Sequence, residues 1–155
     1  MNATVSVRRG IAGDRDFVRD LARRSAASSV SAVRVARYED VLLAFDRLTE
    51  FVWDREHVTL IAEEYGERIG FLLMLYDVPD EVTLTEQAFV AYTAVEPHAR
   101  GRGAGSALLA AAESYARQAG RGYISLMVTE DNAPARKLYQ RAGFSTERRM
   151  LTKPL

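Results

Sequence analysis

The sequence predicts a mixed α/β domain, and three observations carry that prediction. Apolar runs rich in β-branched and aromatic residues recur at 58–62, 69–76, 87–94 and 123–128, each of a length that suits a buried strand. Between them lie segments whose apolar residues return at helical intervals: Val41, Leu42, Phe45, Leu48 and Val52 in one, Leu108, Leu109, Ala112, Tyr115, Ala116 and Ala119 in another. The third is a glycine-rich turn, Arg100-Gly101-Arg102-Gly103-Ala104-Gly105-Ser106, set between a strand run and a helical run. A chain of 155 residues makes one domain, 1–155, large enough to bury a core without disulfide or metal staples.

Taken in order, residues 4–8 alternate as a short strand that Gly10 and Gly13 break. Asp14 is placed to cap a helix through Leu21, with Ile11, Phe17, Val18 and Leu21 at nearly helical spacing. The stretch 25–31 is small and polar and reads as a mobile connection. A second helix starts at Tyr38 and is closed by Trp53, a core or groove-lining side chain. Strands at 58–62 and 68–76 flank a hairpin turn at 64–67, and a loop with three carboxylates, Asp77, Asp80 and Glu81, comes next. The strand at 87–94 leads through the glycine turn to a helix over 107–119, stopped by Gly120 and Gly122. A buried strand is expected at 123–128, then a short helix opened by Asn132 and Pro134 and ended by Gly143, and one or two closing strands within 144–155.

Composition excludes several classes. Lys+Arg and Asp+Glu balance at 21 each, so no overall field favours nucleic acid or an anionic membrane. The absence of cysteine removes disulfides, thiolate metal sites and a cysteine nucleophile, and two widely separated histidines, His57 and His98, make no metal pattern. No apolar segment approaches the ~20 residues that span a bilayer, and no signal peptide opens the chain. A cytoplasmic protein without metal, membrane or nucleic-acid partners is the expectation.

The glycine turn carries the functional signal. Glycines let a backbone approach an anion, and the unpaired N–H groups of a following helix point at it. Arg100 and Arg102 add positive charge suited to phosphate. The phosphate-loop pattern of nucleotide hydrolases needs Lys-Ser or Lys-Thr after its last glycine, whereas Gly105 is followed by Ser106 and Ala107. The dinucleotide fingerprint needs glycine or alanine where Ser106 stands. The pattern that fits is Arg-x-x-Gly-x-Gly, with Arg100, Gly103 and Gly105. A second pattern lies at 132–144, Asn-x-x-Ala-x-x-Leu-Tyr-x-x-x-Gly-Phe, filled by Asn132, Ala135, Leu138, Tyr139, Gly143 and Phe144.

Both patterns resemble signatures of the Gcn5-related N-acetyltransferase (GNAT) superfamily, and the order of elements is similar to that family's along nearly the whole chain. The resemblance implies a central, twisted, mostly antiparallel sheet of about six to seven strands with a V-shaped splay between the fourth and fifth, flanked by about four helices. It implies an acyltransferase that moves the acetyl group of acetyl-CoA to a primary amine by direct attack in a ternary complex, with a small molecule as the favoured acceptor. A protein or peptide amine acetyltransferase, or an acyl-CoA-binding sensor without catalysis, are the alternatives. By the same resemblance Ala94 and Val95 contact the pantetheine arm, with the Val95 N–H toward the thioester oxygen. Arg100, Gly101, Arg102, Gly103, Ala104, Gly105 and Ser106 hold the pyrophosphate, and Asn132 contacts the pantetheine region. A homodimer is common among such relatives.

Acetyl transfer needs positioning, a neutral amine, oxyanion stabilisation and a proton for the departing thiolate. Tyr139 is the candidate general acid, since a phenol of reference pKa near ~10 stays protonated at neutral pH. Arg136 reads as a solvated helix residue. Relatives that acetylate histones carry a base where Phe89 stands, and those that acetylate a ribosomal protein carry one where Met127 stands. Neither glutamate is present, and Glu86, at the strand's start, reads better as a solvated charge than as a base acting through water.

Overall fold

In the computed structural model, which describes residues 4–155, the chain builds one five-stranded sheet with helices on both faces. The elements are β1 (Ser6–Arg9), α1 (Arg15–Ser25), α2 (Tyr38–Trp53), β2 (His57–Glu64), β3 (Glu67–Leu75), β4 (Ala88–Val95), α3 (Ala104–Gln118), β5 (Ile124–Leu126) and α4 (Ala133–Arg141). Strand order follows the chain, β1-β2-β3-β4-β5; the first four pair antiparallel and β5 joins β4 in parallel. Tyr65 and Gly66, both at positive φ (52° and 78°), make the tight hairpin between β2 and β3 whose twist matches the strands.

The sheet sorts its side chains by strand alternation. On the central strand β3, Phe71, Leu73 and Leu75 face α1 and α2, packing with Val18, Leu21, Val52 and Trp53. Leu72 and Met74 face α3, packing with Leu108, Leu109 and Ala112. A strand buried on both faces reads as a continuous apolar run, which is why 69–76 shows no polar alternation. The cores on the two sides therefore meet only through the sheet.

A single irregularity in β4 opens the sheet. Leu73 pairs with Tyr92 and Met74 with Val90, leaving Ala91 as an extra residue, a β-bulge. A bulge bends the strand and sharpens its twist. The β4–β5 ladder runs only from Ala88–Ile124 to Val90–Leu126, ending where the bulge begins. Beyond it, 91–95 of β4 keep β3 on one side and have no strand on the other. This is the expected splay between the fourth and fifth strands.

Several expectations need correction. The sheet has five strands among the described residues, because 144–155 forms no closing strand. Its stretch Ser145-Thr146-Glu147-Arg148-Arg149 offers no apolar alternation to bury, and Met150 and Leu151 are 83% and 90% exposed. Arg148 ties the segment to Asp80 by an ion pair of 2.6 Å. The strand expected at 123–128 shrinks to Ile124–Leu126 and is only half-buried, since once β4 bends away Met127 and Val128 have no partner strand. The connection at 25–31 holds an ordered 3-10 turn, Ala26–Ser29, anchored by the fully buried Ala26. Finally, α3 begins at Ala104 rather than at 107, so Gly105 and Ser106 belong to its first turn.

Candidate active site

The glycine turn folds as a short 3-10 turn, Pro97–Ala99, followed by Gly101 and Gly103 at φ of 75° and 90°. Gly103 is the N-cap of α3, and no side chain caps the helix there. Ala107 N–H donates to the Gly103 carbonyl, which starts the helical ladder. The N–H groups of the first turn, Ala104, Gly105 and Ser106, precede that ladder and stand at the positive end of a 15-residue helix dipole. A Cβ on Gly103 would meet nothing within 4 Å, so the space in front of the turn is open, and the left-handed backbone rather than crowding demands glycine. Gly105 serves packing: a Cβ there would lie 2.9 Å from Leu138 Cδ2, so its absence lets α3 sit against α4. An open, glycine-lined helix N-terminus fits a pyrophosphate.

The arginines are held differently. Arg102 pairs with Glu64 at 2.8 Å, which ties the turn to the end of β2 and takes up much of its charge. Arg100 Nε reaches back to the Val95 carbonyl at 3.4 Å. Glu96 receives a two-pronged contact from Arg24 (2.7 and 3.0 Å), fixing α1 to the end of β4. That hydrogen bond holds the Glu96 carboxyl below its ordinary value.

The free edge of β4 leads straight to this turn. Glu96 N–H donates to Ile69 O at 2.7 Å, toward β3. Strand alternation then turns the neighbouring Val95 N–H to the opposite, unpartnered edge. Ala94 turns its own backbone groups back toward Phe71 on β3, and Thr93 is the next residue whose backbone faces the open edge. Together these backbone groups offer an extended acceptor–donor row ending at the helix N-terminus.

Tyr139 and Asn132 come from α4. Asn132 is the helix's N-cap, its Oδ1 accepting from Ala135 N–H at 3.3 Å, which leaves its amide nitrogen to donate. Tyr139 packs edge-on against Phe144 (centroids 5.9 Å apart) and against the α3-side core. Its hydroxyl makes no hydrogen bond to another described residue. Burial pushes the phenol above its ordinary value, and the nearby Tyr92 adds to the effect. It is therefore a protonated group at neutral pH, as a general acid must be.

Two lesser candidates lie in surface ion pairs. Glu86 has a side chain 78% exposed and pairs with Arg121 at 3.2 Å, away from the splay. Arg136 pairs with Glu130. Sequence spacing concealed two further contacts: Ala32 N–H donates to Asp131 Oδ2 (2.8 Å) and Thr129 Oγ1 to the Ser29 carbonyl (2.9 Å). They bridge the α1–α2 connection to the β5–α4 connection across 99 and 100 residues, a separation at which no local pattern signals contact. Tyr92 and Ser25, joined at 2.9 Å, are likewise invisible as a pair in the sequence. Among the described residues no cluster of metal-ligating side chains occurs and no helix is long and apolar enough to cross a membrane.

Comparison with known proteins bears on the family and the fold. A model of the acetyltransferase (GNAT) family matches residues 22–144. An uncharacterised N-acetyltransferase of Bacillus subtilis is 40% identical over 94 residues, 61% of this chain and 62% of that protein. The match thus spans less than two thirds of that relative's length. A solved Pyrococcus furiosus protein described as an acetyl transferase superposes with a TM-score of 0.82 at 28% identity, covering 98% of this chain and 100% of the other. An aminoglycoside N-acetyltransferase, AAC(6')-Iy, solved in complex with CoA, shares the fold at 18% identity, with a TM-score of 0.71 over 100% and 97% of the two chains.

Proposed function

Because the chain belongs to the acetyltransferase (GNAT) family, we propose that it is an acetyl-CoA-dependent N-acetyltransferase acting on a primary amine, with a small molecule as acceptor. The observation that carries this reading is the continuity of the free β4 edge with the uncapped, glycine-lined N-terminus of α3. A pantetheine arm needs the first, and a pyrophosphate needs the second.

In this reading the first-turn amides of α3, with the Gly101 and Gly103 backbone, hold the pyrophosphate, and Arg100 and Arg102 flank it. The free edge of β4 at Val95 aligns the pantetheine, with Ala94 holding that edge in register on β3, and the Asn132 amide nitrogen donates to it. Bound acetyl-CoA supplies an activated acyl group. The Val95 N–H stabilises negative charge as it develops on the carbonyl oxygen, a contribution that grows toward the transition state. Tyr139 gives its proton to the departing sulfur and regains one from water. The balance is simple: a C–N bond forms, the C–S bond breaks, nitrogen loses one proton and sulfur gains one. No carboxylate base is required when the amine arrives neutral.

The test is calorimetric titration with acetyl-CoA, alongside CoA release over a panel of primary amines, for the wild type and Tyr139→Phe. Binding in both, with turnover lowered about 10²- to 10⁴-fold in the variant, supports the transferase and the acid role. Equal turnover removes Tyr139 from the chemistry. Binding with no turnover on any amine favours the sensor reading, and absence of binding ends the cofactor assignment.

A further inference from the structure

Tyr92 lies on β4 directly after the bulge, in the stretch where the strand has no β5 neighbour. It packs on the α1–α2 side of the sheet, its ring edge-on to Phe45 (4.7 Å between centroids) and tilted against Phe71 (6.0 Å). Tyr139 packs on the α3–α4 side. The two phenols thus approach the splay from opposite faces, and each is only partly buried. The cofactor-binding turn belongs to the Tyr139 side, which leaves the Tyr92 side for the acceptor.

Hydrogen-bond direction settles what Tyr92 can do there. Ser25, at the end of α1, has one hydroxyl proton, and its Oγ lies 2.7 Å from the Leu21 carbonyl and 3.2 Å from that of Ala22. Carbonyls only accept, so the serine proton is committed to its own helix. The 2.9 Å contact between Ser25 and Tyr92 must then be made by the tyrosine's proton. With its proton turned to Ser25, the Tyr92 oxygen keeps a lone pair free to accept. The relay ends on a backbone carbonyl, so it cannot carry a proton off. Tyr92 is an orienting acceptor and not a base.

We infer that Tyr92, polarised by Ser25, accepts a hydrogen bond from the N–H of the incoming amine and aims its lone pair at the acyl carbon. This rests on the transferase reading above. The bond strengthens as positive charge builds on nitrogen during attack, so it favours the transition state over the bound amine.

The experiment has two arms. In the protein alone, NMR of ¹³C-labelled tyrosine should detect a slowly exchanging Tyr92 hydroxyl proton that disappears in Ser25→Ala. A Tyr92 proton signal unchanged by that substitution overturns the relay. In the second arm, formation of acetohydroxamate from acetyl-CoA and hydroxylamine, a minimal neutral amine, is followed beside a panel of primary amines, with the uncatalysed rate subtracted. Tyr92→Phe keeps the ring and its packing and removes one oxygen. We expect unchanged acetyl-CoA affinity and a thermal midpoint lowered by only a few degrees, about what one lost hydrogen bond costs, with kcat/KM for the amine lowered about 10- to 100-fold. Wild-type rates in Tyr92→Phe overturn this inference and leave the transferase reading intact. If the wild type binds acetyl-CoA but accelerates neither hydroxylamine nor any amine, the transferase reading falls first and this inference with it.

Discussion

Asp14 shows how one side chain ties local and long-range structure together. Almost fully buried, it accepts from Arg8 (2.7 and 3.0 Å), from the Ile11 N–H (2.9 Å) and from Arg68 (3.3 Å). The Arg8 hydrogen bond holds its carboxyl down at about 2, against the opposing cost of burial, with Ile11 helping. A folded-state value below the unfolded one means the stabilisation is fully present above the ordinary carboxylate range near ~4 and is lost as pH falls toward 2. Asp14→Asn should therefore cost about 1–3 kcal/mol at pH 7, and its gap to the wild type should narrow by pH 3, as read by denaturant melts at both values. The sequence marks Asp14 as a helix cap. In the structure its side chain instead bonds the N–H of Ile11 and two arginines, because Arg68 reaches it from β3, 54 residues away. Tyr139 offers the opposite sign. Its raised phenol value keeps the acid form present through neutral and mildly alkaline pH, so a pH–rate profile with an amine neutral throughout should lose activity only above the ordinary phenol range.

Among the elements, α3 is where a local pattern and a functional demand coincide. Its N-terminus can be read from sequence because glycine at 103 meets a backbone need, a φ of 90° that other residues adopt only with strain. Gly103→Val should cost about 1–3 kcal/mol in folding and remove most acetyl-CoA affinity, measured by thermal melts and calorimetry. Unchanged affinity in a folded variant would contradict the anion-binding role of the turn. The helix itself starts three residues earlier than periodicity places it, since Gly105 is a poor helix former whose place in the first turn is secured by contact with Leu138 on α4. The same limit applies to β5. Its apolar run promises a full strand, but strand length depends on a partner, and the partner bends away at Ala91.

At the level of the whole molecule, the sheet both separates and connects two half-sites. Phe71, fully buried on β3 and touching the Tyr92 ring, belongs to the core beneath the side proposed for the acceptor. Phe71→Ala should cost about 3–5 kcal/mol, read as a lowered denaturation midpoint, and should disturb amine turnover more than acetyl-CoA binding, because the pyrophosphate turn rests on the other core. Much of this architecture is legible in the sequence. Helical spacing and end signals locate the four helices, and the two motifs around Gly103 and Tyr139 carry the family resemblance that points to the proposed cofactor side, because those features depend on neighbours within a few residues. The number of strands, the bulge, the crossing of the α1–α2 connection to Asp131 and the Ser25–Tyr92 relay are not legible. Each depends on which distant backbone lies alongside, and residues 67 to 100 positions apart leave no periodic trace of their meeting. Sequence therefore set the chemistry of the anion-binding turn, where glycine, helix end and charge act locally. The open edge of β4, and with it the face proposed for the amine, were set by packing, because a strand's free edge exists only relative to the strand that fails to reach it.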